Sequence, residues 1–233
     1  ATLIWQQPHP IYLAETRYRT DPNPETLEKW SDVVFATADY MADFVRLDTA
    51  REEYVLGPPL CPVSENTPIF ETCNPTFELA YWRYGLNTAQ RWRERDPHWD
   101  DILQRLAPLP VQDGTYVTYE GIPDMWTRYN FEHPALAGIY GMLPGEGVDR
   151  TIFEKTLDRI FDTWRFDRVW GWDFPMLAMA AARCGRPDKA VDMLLHDSKN
   201  FRFDVHGFAT GGPFPYFPSN GGLLTAVAMM AAG

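Results

Sequence analysis

The sequence has little basic charge, few cysteines and no apolar run long enough to cross a bilayer. Its 233 residues include 21 Lys and Arg against 32 Asp and Glu, which gives a formal net charge of −11 at pH 7. Because this charge repels a phosphate backbone, the sequence predicts no nucleic-acid partner. The longest apolar run, residues 222–233, is shorter than the roughly 20 residues of a membrane-spanning helix, so we expect a buried core helix and no membrane partner.

The three cysteines, Cys61, Cys73 and Cys184, follow neither the spacing of a metal-binding motif nor that of a disulfide framework. No metal site and no cofactor are therefore expected. Cys61 and Cys73 could pair if the full-length protein is secreted or periplasmic, but buried thiols are the preferred interpretation.

Apolar residues recur at helical spacing, and no long alternation of period two indicates a sheet, so the predicted class is all-α. Four segments have one apolar stripe and a charged face, which is typical of outer helices: residues 24–43, 96–106, 149–164 and 187–196. Five others are apolar on most sides or rich in small and aromatic residues, and we expect them to be inner helices: residues 9–19, 74–92, 133–142, 174–184 and 221–233.

The inner and outer segments alternate along the chain, as concentric layers of helices require. We therefore predict a single domain over residues 1–233 with the (α/α)6 toroid fold. A complete toroid of six helical hairpins has twelve helices, of which this chain supplies about nine. The sequence also starts and stops abruptly beside predicted helices, so we expect a C-terminal portion of the barrel, with further helices upstream in the same polypeptide.

Three long connections rich in Pro, Gly and aromatic residues precede inner helices: residues 56–74, 114–132 and 200–220. Loops of this length are uncommon in a compact domain unless they form a site. Because each leads into an inner helix, we expect them to gather at one end of the barrel, around the N-termini of those helices.

Carboxylates in these loops are the candidate catalytic groups. Glu65 lies in PVSEN, where apolar neighbours would raise its pKa and let it donate a proton; the alternative is a loop carboxylate that caps a backbone amide. Glu71 is close enough in sequence to share the pocket or to replace Glu65. Glu78, inside a predicted helix, would be a supporting group or an ion-pair partner. Asp173 lies in WGWDFP, where it is either a helix N-cap or a base at the mouth of the barrel.

Aromatic and amide side chains introduce three of the predicted inner helices, and sugar sites are built from such groups. His133 and Tyr216 belong to these clusters. The residues expected to bind substrate are Trp5, Gln7, His9, Asn66, Glu71, Tyr129, Asn130, Trp172, His206 and Asn220.

Five segments carry a resemblance to a known group of proteins: WQQPHPIYLAE, LGPPLCPVSEN, NPTFELAYWRYGL, WGWDFPMLAMAAARCG and FPSNGGLLTAVAMM. They resemble bacterial and fungal six-hairpin glycosidase-like proteins, a group similar to glycoside hydrolase families 65 and 95. In the α-L-fucosidase family a Ser-Pro-Glu-Asn stretch carries the general acid. Ser64, Glu65 and Asn66 match its Ser, Glu and Asn, so the resemblance implies that Glu65 is the acid.

The same resemblance leaves the general base open. The family places an Asp two residues before an Asn-Gly pair, and in this chain Pro218 stands there, before Asn220 and Gly221. Since a proline cannot deprotonate water, the base must come from elsewhere, either from Asp173 or from a carboxylate upstream of this sequence.

The resemblance implies an inverting glycoside hydrolase that removes an α-linked terminal fucose, galactose or glucose from an oligosaccharide. A phosphorylase would need a basic phosphate site, which the sequence does not show. One alternative is a polysaccharide lyase or epimerase on the same fold, with His206 or Tyr216 as base. Another is a catalytically silent carbohydrate-binding barrel, which Pro218 favours.

Overall fold

The computed structural model describes residues 3–92 and 95–232, and this part of the chain is mostly helical. Two short antiparallel hairpins interrupt the helices, β1 (Arg46–Asp48) with β2 (Glu53–Val55) and β3 (Val111–Gln112) with β4 (Thr115–Tyr116). The helices are α1 (His9–Thr20), α2 (Pro24–Phe44), α3 (Thr76–Trp92), α4 (Pro97–Arg105), α5 (Met125–Arg128), α6 (Arg150–Thr163), α7 (Asp173–Arg183), α8 (Pro187–Leu194) and α9 (Phe217–Ala232), with a 3-10 helix at Ala135–Tyr140.

Polar side chains cap three of the four amphipathic helices, α2, α4 and α6, at or near their predicted starts, whereas α8 begins at Pro187 without a side-chain cap. The side chain of Asn23 accepts a hydrogen bond from the Thr26 N–H at 2.8 Å at the start of α2. Asp96 caps α4, and Asp149 caps α6 by accepting from the Ile152 N–H at 3.0 Å. Each such cap satisfies a backbone donor and contributes about 1 kcal/mol, which explains why these boundaries can be predicted.

Helices α1 and α3 lie side by side and run in the same direction. Near their N-termini, His9 Nδ1 and the Tyr81 hydroxyl are 2.8 Å apart in a hydrogen bond. Near their C-termini, the rings of Tyr18 and Trp92 have centroids 5.7 Å apart. Because both pairs advance together along the two helices, the N-termini of α1 and α3 lie at the same end of the molecule.

The 3-10 helix and α7 continue this parallel layer. Gly138 lies against Met176, and Gly141 lies against Ala180, so the two segments also advance together. A Cβ atom on Gly141 would come within 2.9 Å of the Ala180 backbone nitrogen, which makes glycine necessary at this approach. The predicted inner helix at 133–142 is therefore wrong in type, because this close approach and Pro134 leave a short 3-10 helix instead.

Helix α9 packs beside α7 and completes the inner layer of the described chain. Gly171 approaches Ser219, and Pro175 approaches Gly222, so α9 starts at the same end as α7. The inner layer thus consists of α1, α3, the 3-10 helix, α7 and α9, each in contact with the next.

The amphipathic helices form an outer layer on this one. Helix α2 runs antiparallel to α3, since Met41 lies against Gly85 while Phe44 lies against Trp82 with ring centroids 5.8 Å apart. The indole N–H of Trp82 donates to the Met41 carbonyl at 3.0 Å. Helices α4, α6 and α8 pack on α3, the 3-10 helix and α7 respectively.

Burial differs between the middle and the two edges of the inner layer. Helices α3 and α7 are buried along almost their whole length. By contrast, Leu13 of α1 is 65% exposed and Leu224 of α9 is 71% exposed. The prediction that α9 is buried on every side is therefore wrong for the described residues, because α7 is its main neighbour and the opposite face is open; residue 233 of that predicted helix lies outside the described residues.

Replacement of Gly141 by Ala should destabilise the fold by about 1–3 kcal/mol, because the added methyl group meets the backbone of α7. Urea unfolding of both forms measures the difference. Gly221→Ala is the matched control: a Cβ atom there has no neighbour within 4 Å, and alanine should stabilise α9 by up to about 1 kcal/mol. Equal free energies of unfolding for the two variants would contradict the close approach.

Candidate functional site

A cavity of about 610 Å³ lies on the inner layer, and most of its polar groups come from the N-terminal ends of the helices. Three elements bring histidine or carboxylate side chains to it: His9 from α1, Glu65 from the loop before α3, and His133 from the segment before the 3-10 helix. Aromatic rings form much of the wall, and these are Trp5, Tyr12, Phe77, Tyr81, Trp170, Trp172 and Tyr216. Of the three long loops expected to gather around inner-helix N-termini, residues 56–74 and 200–220 reach this cavity, whereas residues 114–132 do not line it.

His133 and Asp173 form a buried pair at the wall of the cavity. His133 Nδ1 lies 3.0 Å from each carboxylate oxygen of Asp173. Asp173 also accepts the Trp170 backbone N–H at 2.8 Å and is 0% exposed. The His133 ring packs against Trp172, with centroids 4.6 Å apart. Since Nδ1 is occupied, Nε2 is the ring nitrogen left for a ligand in the cavity.

The two members of this pair influence each other's ionisation. Burial raises the pKa of the Asp173 carboxyl above its ordinary value, although His133 and the Trp170 N–H oppose the shift. Burial by itself lowers the pKa of His133, but the charge and hydrogen bond of Asp173, aided by Glu132 and Glu65, outweigh it and raise the pKa. The pair therefore favours an imidazole that holds a proton.

Asp173 does not have the direct role expected for it. Its side chain is fully buried and does not line the cavity, so it cannot contact a water molecule or a substrate there. It is not the N-cap of α7 either, since Trp172 occupies that position and no side chain caps the helix. Asp173 can act on chemistry in the cavity through His133, which it orients.

Glu65 lines the cavity on an exposed turn. Its backbone N–H donates to the Pro62 carbonyl at 2.9 Å, and its φ of +56° lies in the left-handed region. The burial that was expected for Glu65 is absent, because the loop presents the carboxylate to solvent. Its charge nevertheless contributes to the raised pKa of His133, so the two groups face the same cavity.

A second histidine on the cavity wall has the opposite character. Burial lowers the pKa of His9, which favours the neutral ring. Its Nδ1 is hydrogen-bonded to Tyr81, whose pKa is raised by burial, and Trp5 packs edge-on against it at 5.3 Å. Two histidines with oppositely shifted pKa values therefore share one cavity.

Tyr129 and Asn130, predicted to bind substrate, serve the packing instead. Tyr129 is buried in the core. The Asn130 side-chain N–H donates to the Thr163 carbonyl at 2.6 Å, and the backbone carbonyl of Asn130 accepts the Arg165 N–H at 2.9 Å. These bonds tie the end of α6 to the loop before the 3-10 helix, so the prediction mistook a loop anchor for a ligand group.

The other predicted binding residues divide into two groups. Trp5, His9 and Trp172 line the cavity as expected. His206 is exposed and does not line the cavity. The Asn220 side-chain N–H donates to the carbonyl of Gly207, next to His206, at 2.7 Å, so both residues belong to the turn of their own loop. Outside the cavity wall also lie Gln7, Asn66 and Glu71.

Two cavity residues, Tyr81 and Trp170, were not predicted, whereas His133 and Tyr216 were predicted as members of the aromatic and amide clusters. Phe77 and Tyr81 are four residues apart on α3, a spacing that places both rings on one helix face and could have indicated the wall. Burial, with a contribution from Asp173, raises the pKa of Tyr216 to about 12. Its hydroxyl is therefore a proton donor or neutral hydrogen-bond partner at neutral pH.

Within residues 3–92 and 95–232, no group of three or more His, Cys, Asp or Glu side chains could hold a metal ion. Cys61, Cys73 and Cys184 are free thiols. None of the helices in this part of the chain has the length and apolar character needed to span a bilayer.

No protein-family model matches the chain, and no curated protein matches it either. The resemblance to six-hairpin glycosidases therefore stays a prediction from the quoted motifs.

Asp173→Asn should lower the pKa of His133, because the substitution removes the charge that holds the proton on the imidazole. NMR titration of the His133 Cε1 resonance measures this pKa. Glu132→Gln is the control and should lower it less, since Glu132 contributes less to the shift. An unchanged His133 pKa in Asp173→Asn would show that the pair is not coupled.

Proposed function

We propose that this chain forms part of an (α/α)6-barrel glycoside hydrolase that acts on an oligosaccharide without a metal or other cofactor. The parallel inner helices, with amphipathic helices packed outside them, support the barrel, since each inner helix contacts the next in chain order. The cavity volume of about 610 Å³ lies within the range of small-molecule sites, which is roughly 300–1,000 Å³.

One observation carries the proposal: Glu65 and His133, the latter held by Asp173 behind it, face a single cavity walled by aromatic rings. Trp5, Trp170 and Trp172 offer ring faces and edges on which a sugar can stack. Inverting hydrolysis needs a proton donor for the leaving oxygen and a base for the attacking water, placed on opposite sides of the bond. Glu65 and His133, which come from different segments, are the candidates for these two roles.

Different residues carry out the two proton transfers. The Glu65 carboxylic acid gives its proton to the glycosidic oxygen as the bond to the anomeric carbon breaks, a role that the Ser64-Glu65-Asn66 match also favours. His133 Nε2 accepts a proton from the water that attacks the anomeric carbon from the other face. Asp173 stabilises the imidazolium that results and fixes the ring. His133 thus supplies the base that Pro218 cannot.

Since the raised pKa of His133 favours the protonated ring, the neutral ring that acts as base is disfavoured. The rate should therefore depend on pH in a bell shape whose limbs belong to Glu65 and His133. The reverse assignment, with His133 as acid and Glu65 as base, has the same geometry, so the test must separate the two.

Glu65→Gln should lower kcat on α-linked disaccharides by about 10²–10⁴-fold, while sugar binding is retained, because only the proton donor is lost. On 2,4-dinitrophenyl glycosides, whose leaving group needs no proton, the same variant should keep most of its activity. His133→Asn should lose activity on both substrates, since the base is needed in each case. Kinetics are followed with NMR detection of the anomer released.

The assignment of roles fails if His133→Asn, and not Glu65→Gln, keeps activity on the activated substrate. A wild-type protein that binds sugars but releases none would instead support a silent carbohydrate-binding barrel, and the hydrolase proposal would be wrong. Glu71→Gln is the control, because Glu71 is exposed on the same loop and does not line the cavity.

A second candidate, an epimerase or lyase, is favoured by the pair of histidines. His9 is biased toward the neutral ring and His133 toward the protonated ring, which is how an acid and a base are arranged for proton transfer at carbon. The expected clamp of arginines is not found among the residues that line the cavity. We therefore rank this candidate second.

Deuterium uptake separates the two reactions. In D2O, an epimerase replaces a carbon-bound hydrogen of the sugar with deuterium, and a lyase removes one to leave an unsaturated sugar, whereas a hydrolase leaves every C–H bond intact. We expect neither deuterium at carbon nor an unsaturated product by mass spectrometry of the recovered sugars. Incorporation that disappears in His9→Gln would overturn the hydrolase proposal in favour of the second candidate.

A further inference from the structure

The loop that carries Glu65 is tied to the helix beneath it by an unusual group. Glu78, in the first turn of α3, is 1% exposed, and its Oε1 accepts the Val63 backbone N–H at 2.7 Å. Two residues after Val63, the chain makes the turn that presents Glu65 to the cavity. One buried carboxyl thus connects the inner helix to the turn with the proposed proton donor.

The rest of the loop is held by its own contacts. At its base, the Asn74 side chain accepts the Leu56 N–H at 3.0 Å. Further up, the Leu60 N–H donates to the Ile69 carbonyl at 2.8 Å, and the hydroxyls of two threonines are also bonded to each other. Within the described residues, the Val63–Glu78 bond is the hydrogen bond that joins the turn at 62–66 to α3.

A buried carboxyl has a higher free-energy cost than a neutral group as the acceptor for the Val63 N–H. A backbone N–H needs only one acceptor oxygen, which a neutral glutamine would supply without the free-energy cost of burying an ionisable group. The second oxygen of Glu78 has no hydrogen-bond partner in the described chain. Burial raises the pKa of Glu78 to about 7, opposed by its bonds to backbone N–H groups. Its protonation can therefore change near neutral pH.

The polar groups around this turn are also incompletely bonded. Trp5 Nε1, Ser64 Oγ and both side-chain polar atoms of Asn66 are buried without a partner in the described residues. Trp5 runs beside the same segment, because Leu3 and Cys61 form a parallel bridge. The turn therefore contains polar groups whose hydrogen-bonding capacity is unused by the described residues.

Burial dominates the ionisation of Glu78, and its hydrogen bonds to backbone N–H groups oppose the shift. The pKa of the nearby Cys61 thiol is raised mainly by burial and further by Glu65 and Glu78. No described Arg, Lys or His side chain forms an ion pair or hydrogen bond with Glu78. The protonation of Glu78 is therefore set by burial.

We propose that Glu78 is a positioning residue, which holds the turn at 62–66 through Val63 and sets the placement of Glu65 according to its own protonation. The claim rests on the proposed role of Glu65 as proton donor. The change in Glu78 would move Glu65 relative to a bound sugar without contact between Glu78 and the sugar. In the kinetics this would alter kcat more than KM, because the proton donor and not the binding surface is displaced.

Two variants distinguish the role of Glu78 as hydrogen-bond acceptor from the role of its titration. Glu78→Gln keeps an oxygen for the Val63 N–H and loses the titration, whereas Glu78→Ala loses both. Hydrogen exchange at Val63 should be about tenfold faster or more in Glu78→Ala and close to wild type in Glu78→Gln. Glu71→Gln is the matched control, since it removes an exposed carboxylate from the same loop.

The decisive measurement is NMR of ¹³C-labelled glutamate carboxyls, assigned with Glu65→Gln and Glu78→Gln. In the wild type, the Glu78 resonance should titrate near pH 7, and the Glu65 resonance should show a second inflection at that pH. This inflection should vanish in Glu78→Gln and persist in Glu71→Gln. If Glu78→Ala does not fold, the Glu78→Gln comparison still decides the question.

The proposal is overturned if the Glu65 resonance titrates identically in the wild type and Glu78→Gln, or if Val63 exchange is the same in a folded Glu78→Ala. These readouts need no substrate. A wild type that releases no sugar would therefore refute the hydrolase function without touching the link between Glu78 and the turn. A loss of the inflection with equal kcat in wild type and Glu78→Gln would overturn the positioning role alone.

Discussion

The hydrogen bonds of Asp173 are the constraint on which the site depends. A buried carboxylate is stable only when donors surround it, and here the imidazole of His133 and the N–H of Trp170 supply them. These bonds fix the start of α7 against the segment before the 3-10 helix. They also orient His133 with Nδ1 toward the core. The same contact therefore satisfies the buried Asp173 and leaves Nε2 of His133 available to the cavity.

The parallel direction of the inner helices explains why the polar groups meet. Each long loop enters its helix at the same end, so residues far apart in sequence, such as His9, Glu65 and His133, reach one cavity. The close approaches at Gly138 and Gly141 keep the 3-10 helix near its neighbours. The layer therefore brings the N-terminal ends together by backbone packing, and the chemistry is added by the loops.

The helical class and the outer helices could be predicted because caps and amphipathic stripes are local signals. Asn23 and Pro24 mark the start of α2 in the sequence as they do in the structure. Burial and pairing are not local. The contact between His133 and Asp173 spans 40 residues, and no spacing rule indicates it. The solvent exposure of Glu65 likewise depends on how its loop folds back, which the apolar neighbours in the sequence did not reveal.

The uneven burial of the inner layer has a mechanical consequence for the cavity. On one side its wall belongs to α3, which is held by neighbours along most of its length. On the other side it belongs to α9, where only Ser219 and Ala226 are buried. Local opening costs least where few contacts are broken, so α9 is the compliant wall and α3 the rigid one. A ligand that contacts Tyr216 and Gly222 would restrict the motion of α9. The fixed wall formed by α3 would select the shape of that ligand.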